Sequence, residues 1–260
     1  MPRLAAVPGG LAGARVTEQL GWDTDGMPEV ELISARVCPF AQRTRLALME
    51  KDVAFRLIEI DLEAKPDWFL EVSPYEKVPV VRVDGNVVWE SAAINEYLEE
   101  VFPEPPLMPR EPYPRALARI WIDFANVVLV PLFYKLLLEQ APARQRKLAD
   151  RMRQKLSYME TEGLAKTRCG EQGKPYWFGA APGLVDVTFY PFFERWPAIV
   201  HYRGVEIPAE CPRLRFWLDA MRGRESVTAI ANSAEYYIRN YASYADGSAS
   251  GITAEEMREA

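Results

Sequence analysis

The stretch ARVCPFAQRTRLALMEK, residues 35–51, decides the fold. A cysteine is followed by a proline and then by residues at helical spacing. Proline suits the first position of a helix, where its missing N–H has no intrahelical partner to lose. Cys38 is thereby placed near the N-cap, facing unpaired backbone donors and the positive end of the helix dipole. Both favour thiolate over thiol and lower a cysteine pKa from about 8.5 by a unit or more. An ordinary buried cysteine at a strand end is the alternative reading. Along the helix, Phe40, Thr44, Ala47 and Leu48 form the inward stripe, and Arg43, Arg45 and Lys51 fall on other faces.

Working outward, EVELISAR before this helix and VAFRLIEIDL after it alternate apolar and polar residues, the pattern of half-buried strands. Strand, helix, strand makes a βαβ unit with parallel strands. KPDWFLEVSP is a short helix or turn. VPVVRVDGNVVWES is two strands around the Asp84-Gly85 step, a tight hairpin signal. SAAINEYLEEVF is a helix with Ser91 as N-cap. The order βαβ, then ββα, predicts a four-stranded mixed sheet with helices packed on it.

PEPPLMPREPYP carries six prolines between Pro103 and Pro114 and reads as a linker. Strand signals almost vanish beyond it. YPRALARIWIDFANVVLVPLFYKLLLEQ is a long helix bent at Pro131, ARQRKLADRMRQKLSYMETEGL a second, PGLVDVTFYPFFERWPAIV a buried one, and PRLRFWLDAMRGR and SVTAIANSAEYYIRNY surface helices. The expected division is a flexible extension over 1–28, a small α/β domain over 29–102, a linker over 103–112, an all-helical domain over 113–241 and a tail over 242–260.

Composition narrows the chemistry. The 260 residues carry a net charge of −6, which disfavours nucleic acid and anionic membrane as partners. The most apolar run, around VVLVPLF, is short for a bilayer span and interrupted by Pro131. The first twenty residues lack a continuous apolar h-region, so no secretory signal is expected. Three dispersed cysteines, Cys38, Cys169 and Cys211, fit a reducing cytoplasm better than a disulfide scaffold. The single histidine, His201, excludes a multi-histidine metal site and reads as a solvated or capping residue. No metal is expected. Position 41 is alanine, so Cys38 has no local resolving thiol. A mixed disulfide formed there must be released by an external thiol, for which glutathione is the cytosolic choice.

CPFAQRTRLAL, KPDWF, KVPVV, ESAAINEYLEE and DVTFYPFFERW, in this order and spacing, resemble the cysteine-type glutathione transferases of the omega and plant lambda classes. The likeness runs from about Glu29 to about Tyr241. It implies a thioredoxin-like N-terminal domain followed by an all-α domain, glutathione as cofactor and a homodimer. It also implies roles. Cys38 forms the mixed disulfide, and Phe40 lines the pocket beside it. Val78 pairs by its backbone with the cysteinyl part of glutathione, next to a cis peptide bond at Pro79. Glu90 and Ser91 hold the γ-glutamyl end, and Lys65 reaches the glycine carboxylate. Lys77 adds positive potential near the thiolate or points to solvent. At 183–186 the sequence is Gly-Leu-Val-Asp where the family commonly has Ser or Thr, two residues, then Asp, which weakens a helix capping box.

The acceptor side is read from aromatic crowding in the helical domain. Tyr134, Arg195 and Trp196 are expected to line a cleft for a small apolar or aromatic substrate bearing a carbonyl, thioether or carboxylate. The expected activity is glutathione-dependent thiol transfer or reduction, covering glutathionyl aromatic ketones and dehydroascorbate. A non-catalytic binding or scaffold protein, a conjugating transferase and a glutathione-using isomerase are the alternatives.

Overall fold

A computed structural model describes residues 14–17 and 28–259. The chain divides into two compact units between Pro105 and Pro106, inside the proline-rich linker. The first unit is built on a sheet of β1 (Ala14–Thr17), β2 (Val30–Ser34), β3 (Arg56–Ile60), β4 (Val80–Val83) and β5 (Asn86–Trp89), with helices α1 (Pro39–Glu50), α2 (Asp67–Val72) and α3 (Ser91–Val101). The strands lie in the order β1-β3-β2-β4-β5. Strands β2 and β3 are parallel, as the βαβ pattern predicts, and the other pairs are antiparallel.

Strand β1 is a correction. A structureless extension is expected over 1–28, yet Ala14–Thr17 pairs with Leu57–Ile60 and makes a fifth strand. Four residues among Pro and Gly pairs are too short to carry a period, so only the vacant edge of β3 reveals them. Strand β2 also departs from the half-buried reading, because all five of its residues are buried. It is central, with α2 on one face and α1 and α3 on the other. Val30, Leu32, Leu57 and Val81 pack with Leu48, Ile94 and Leu98 on the second face, and Ile33, Ile58 and Val80 pack with Trp68, Phe69 and Val72 on the first. The buried carboxylate of Glu31 is held between Arg56 and Arg82 from the neighbouring strands. At the hairpin, Asp84 and Gly85 both have positive φ, 47° and 80°, the backbone of a type I′ turn.

Helix α1 is enclosed on nearly every side, which corrects the reading of its cationic faces. Arg43 is 1% exposed and Lys51 3%. Lys51 Nζ lies 2.6 Å from Glu99 Oε2 on α3 and donates to the carbonyls of Phe102 at 2.7 Å and Pro105 at 3.1 Å. The ammonium thereby closes the carbonyl-bearing end of α3 and ties the start of the linker to α1.

The second unit is helical. Helices α4 (Pro112–Phe124) and α5 (Val130–Leu138) are joined by a π-helical turn over Ala125–Leu129, in which Val130 donates to Ala125 O. This turn precedes Pro131, where a bend is expected, and the wider ladder accommodates the missing proline N–H. The continuous helix Pro112–Leu138 is, by length and composition, long and apolar enough to cross a membrane, which corrects the short-run reading. Trp121, Leu129, Phe133, Leu136 and Leu137 on this helix are core residues. Helix α6 (Pro142–Tyr158) runs into a second π turn over Met159–Leu164. The buried run divides into α7 (Leu184–Glu194) and α8 (Trp196–Arg203), followed by α9 (Pro212–Arg222), α10 (Glu225–Thr228) and α11 (Ala234–Asn240). The tail is also ordered: α12 (Ala242–Asp246) and α13 (Ile252–Glu259) pack Tyr244, Ala249, Ala254 and Met257 against Leu138 of α5. His201 is exposed in the last turn of α8.

Asp186 is the polar centre of this unit. Its carboxylate accepts from the backbone N–H of Gly183 at 2.8 Å and of Trp177 at 3.1 Å, and from the Trp217 indole at 2.7 Å. Complete burial outweighs these three donors and pushes its pKa up to about 6. Only the Asp186 half of the capping box forms, since glycine has no side chain to supply the other. The structure gives the reason for the glycine: a Cβ at position 183 would lie 2.6 Å from Leu107 O, which accepts the Leu184 N–H at 2.7 Å.

Two stability outcomes are expected. Lys51→Met strands the Glu99 carboxylate and costs about 3–5 kcal/mol in chemical denaturation. Gly183→Ser, which completes the capping box on paper, destabilises by about 1–3 kcal/mol because Leu107 is in the way; a stabilised variant in the same assay would show that Leu107 yields.

Candidate active site

Helix α1 begins as its sequence predicts. Cys38 is its N-cap residue and Pro39 its first residue. The turn into it is closed by Cys38 N donating to Ala35 O at 2.9 Å, and Gln42 N returns to Cys38 O at 3.1 Å. Cys38 is partly exposed and packs against the cluster formed by Ile33, Ala41 and Val78. Its Sγ makes no capping bond to the first-turn amides and instead donates to Val78 O at 3.6 Å. The Val78-Pro79 peptide bond is cis. No described residue accepts the Val78 N–H, so this segment offers a backbone donor beside the sulfur.

At the other end of the site, helix α3 starts one residue earlier than expected. Its N-cap is Glu90, held at φ 69°, and Ser91 is its first residue rather than its cap. The Glu90 side chain is exposed, and Ser91 is buried. Ser91 Oγ accepts from Arg43 Nη1 at 3.4 Å, and the Arg43 guanidinium carbon lies 5.0 Å from the centre of the Phe40 ring. One buried cation thus joins the second turn of α1 to the first residue of α3 and stacks on the aromatic beside Cys38. Sequence reading set Arg43 on an outer face. The available signal is its place five residues after the cysteine in a helix that is otherwise buried all round.

Lys65 precedes α2, and its Nζ lies 3.4 Å from Glu76 Oε2. The backbone at Lys77 is fixed by Ser73, whose hydroxyl donates to Lys77 O at 2.8 Å and accepts from Lys77 N at 3.0 Å. Cys38, Phe40, Lys65, Lys77, Val78, Pro79, Glu90 and Ser91 all belong to the first unit. Within it Cys38 meets Val78, and Phe40 and Ser91 meet through Arg43.

The three residues assigned to a substrate cleft require correction. Tyr134 is 3% exposed, Arg195 0% and Trp196 4%. Tyr134 packs among Phe133, Phe192, Tyr241 and Tyr244. Arg195 donates to Pro191 O at 2.8 Å and lies 4.6 Å from the centre of the Tyr237 ring, and the Trp196 indole donates to Val205 O at 2.9 Å. These are core side chains of the helical unit, and aromatic residues on helices are drawn there by the area they bury.

Residues 37–101 match the model of the glutathione S-transferase N-terminal domain, and residues 141–220 that of the C-terminal domain. The chain belongs to the glutathione S-transferase family. It is 31% identical to pig glutathione S-transferase omega-1 over 202 residues, which cover 77% of this chain and 80% of that one. It is 35% identical to glutathione S-transferase U25 of Arabidopsis thaliana over 214 residues, 81% and 92% of the two chains. The crystal structure of rice GST1 in complex with glutathione superposes with a TM-score of 0.76 at 28% identity, covering 86% of this chain and 99% of that one. Glutathione is the cofactor of this family, and the chain is a glutathione transferase.

The transferase has two further thiols. Cys169 and Cys211 are fully buried in the helical unit. Burial pushes the Cys169 thiol up to about 12 and raises that of Cys211 as well. Both are neutral near pH 7 and poor nucleophiles. Iodoacetamide is therefore expected to modify one cysteine per chain in the native protein, at Cys38, and three after denaturation; peptide mass mapping reads this directly. Rapid native labelling of Cys169 or Cys211 would contradict the burial.

Proposed function

We propose that this transferase is a glutathione-dependent thiol transferase and reductase that works through a mixed disulfide on Cys38. The observation that carries the reading is the placement of the one partly exposed thiol at the start of α1, against Val78, with both other cysteines buried in the other unit. The Cys38 thiolate attacks the glutathionyl sulfur of a disulfide RS–SG. The new Cys38–SG bond forms as the RS–SG bond breaks, and RS⁻ leaves and takes a proton. A second glutathione, as thiolate, attacks the Cys38–SG bond, giving oxidised glutathione and the free Cys38 thiolate. A glutathionyl aromatic ketone is expected to react at the same sulfur, its C–S bond breaking as Cys38–SG forms and the carbon leaving as an enolate that takes a proton, while for dehydroascorbate two glutathiones supply the two electrons and two protons of the reduction and leave as oxidised glutathione. The sulfur now donates to Val78 O, a contact that ionisation gives up, and the amide end of α1 favours the resulting anion.

The other residues are assigned to glutathione. The Val78 backbone pairs with the cysteinyl unit, Ser91 and the start of α3 with the γ-glutamyl carboxylate, Glu90 with its ammonium and Lys65 with the glycyl carboxylate. Arg43 joins this set as the cation behind Ser91, and Phe40 and Lys77 flank the thiol. A cytoplasmic homodimer acting on a small apolar or aromatic co-substrate completes the proposal.

A second reading, conjugation of glutathione to electrophiles, is favoured by the 35% identity to the plant relative U25. The two separate at Cys38. Cys38→Ser is expected to lose thiol transfer to hydroxyethyl disulfide by about 100-fold or more and to keep or gain conjugation of an aromatic halide. The wild-type protein treated with oxidised glutathione should gain about 305 daltons on Cys38, removed by excess thiol. Undiminished thiol transfer in the serine variant would remove Cys38 from the mechanism.

A further inference from the structure

The ion pair between Lys65 and Glu76 carries one inference more. Glu76 is one of few non-glycine residues with a left-handed backbone, at φ 55°. A glycine would hold this turn at lower conformational cost, and a β-carbon here is tolerated only where the surroundings fix the chain. Ser73 does so. It is 1% exposed, its carbonyl accepts the Glu76 N–H at 2.9 Å, and its hydroxyl clamps Lys77 on both sides of the peptide. This turn leads straight into Val78-Pro79 and carries a carboxylate to within 3.4 Å of Lys65 Nζ. The two partners are unequally covered: the lysine side chain is 19% exposed and the glutamate 55%. The lysine is the more covered partner, and the glutamate, more than half exposed, is the member with room to leave.

We propose that Glu76 is a built-in competitor for Lys65, occupying the ammonium until the glycyl carboxylate of glutathione displaces it. This rests on the assignment of Lys65 to that carboxylate. The exchange replaces one carboxylate by another at the same cation, so the charge is never bare. The binding energy of the glycyl end is reduced by the ion pair that has to open. Affinity for the tripeptide is thereby lowered, and release of the spent disulfide is assisted, because Glu76 recaptures Lys65 as the ligand departs.

The test is calorimetric binding of reduced glutathione to the full chain at low ionic strength. Glu76→Gln is expected to bind about two- to fivefold more tightly than wild type, the scale of one partly exposed ion pair. Glu76→Gly, which also relieves the left-handed backbone, guards against a folding artefact and should do the same. Glutathione monoethyl ester, blocked at the glycyl carboxyl, should bind all three proteins alike. Glu71→Gln, an exposed acid on α2, should change nothing; equal tightening there would reduce the effect to net charge and overturn the proposal. Unchanged or weaker glutathione binding by both Glu76 variants also overturns it. Lys65→Met keeps the two levels apart. If it binds glutathione as wild type does, the assignment of Lys65 fails. If it binds weakly while the Glu76 variants match wild type, that assignment stands and only the competition is refuted.

Discussion

Helix α1 has to be buried almost all the way round while carrying two arginines and, at its C-cap, a lysine, and the first unit is organised by how the two fully buried cations, Arg43 and Lys51, are satisfied. Arg43 is matched near the helix start by the Ser91 hydroxyl and the Phe40 ring, and Lys51 at the helix end by Glu99 and two carbonyls. Both clamps run from α1 to α3. They fix the rotation of α1 and the distance between the two helix starts, which are the two ends of the proposed glutathione site. Removing either cation would leave buried acceptors without a donor, a cost larger than the pair contributes when intact.

The loops around the site are shaped by the same economy of backbone. Glu76 and Glu90 both sit at positive φ, one at the turn before Val78 and the other at the entry to α3. Neither is a glycine, so in both places a charged side chain is kept where a bare backbone would be easier. The sheet beneath has its central strand buried on both faces and the Glu31 carboxylate paired with arginines of both neighbouring strands.

Much of this was readable in the sequence, and the failures have identifiable causes. The βαβ-ββα order, the hairpin at Asp84-Gly85 and the start of α1 at Pro39 follow from periodicity, turn chemistry and proline placement. The cationic faces of α1 were misjudged because a charged residue is ordinarily a solvated one, and only the partners on α3 reverse that. Ser91 looked like a cap because serine prefers that place, but the chain enters the helix through Glu90. Tyr134, Arg195 and Trp196 are assigned to a cleft by their place in an aromatic-rich helical domain; neither place nor type tells an aromatic that lines a cavity from one that fills a core. Gly183 reads as a weakened cap in sequence terms, but the Leu107 carbonyl occupies the space that a larger capping side chain would need.

Strand β1 deserves weight beyond its four residues. It lies along β3, the one strand that would otherwise present an open row of amides and carbonyls at that side of the sheet. A shortened protein begun at Glu29, where the family-like portion starts, would lack this cover. Its sheet would end in a border of unpaired amides and carbonyls, the kind of edge that can pair with the edge of another molecule, and β1 covers that border as a hem does.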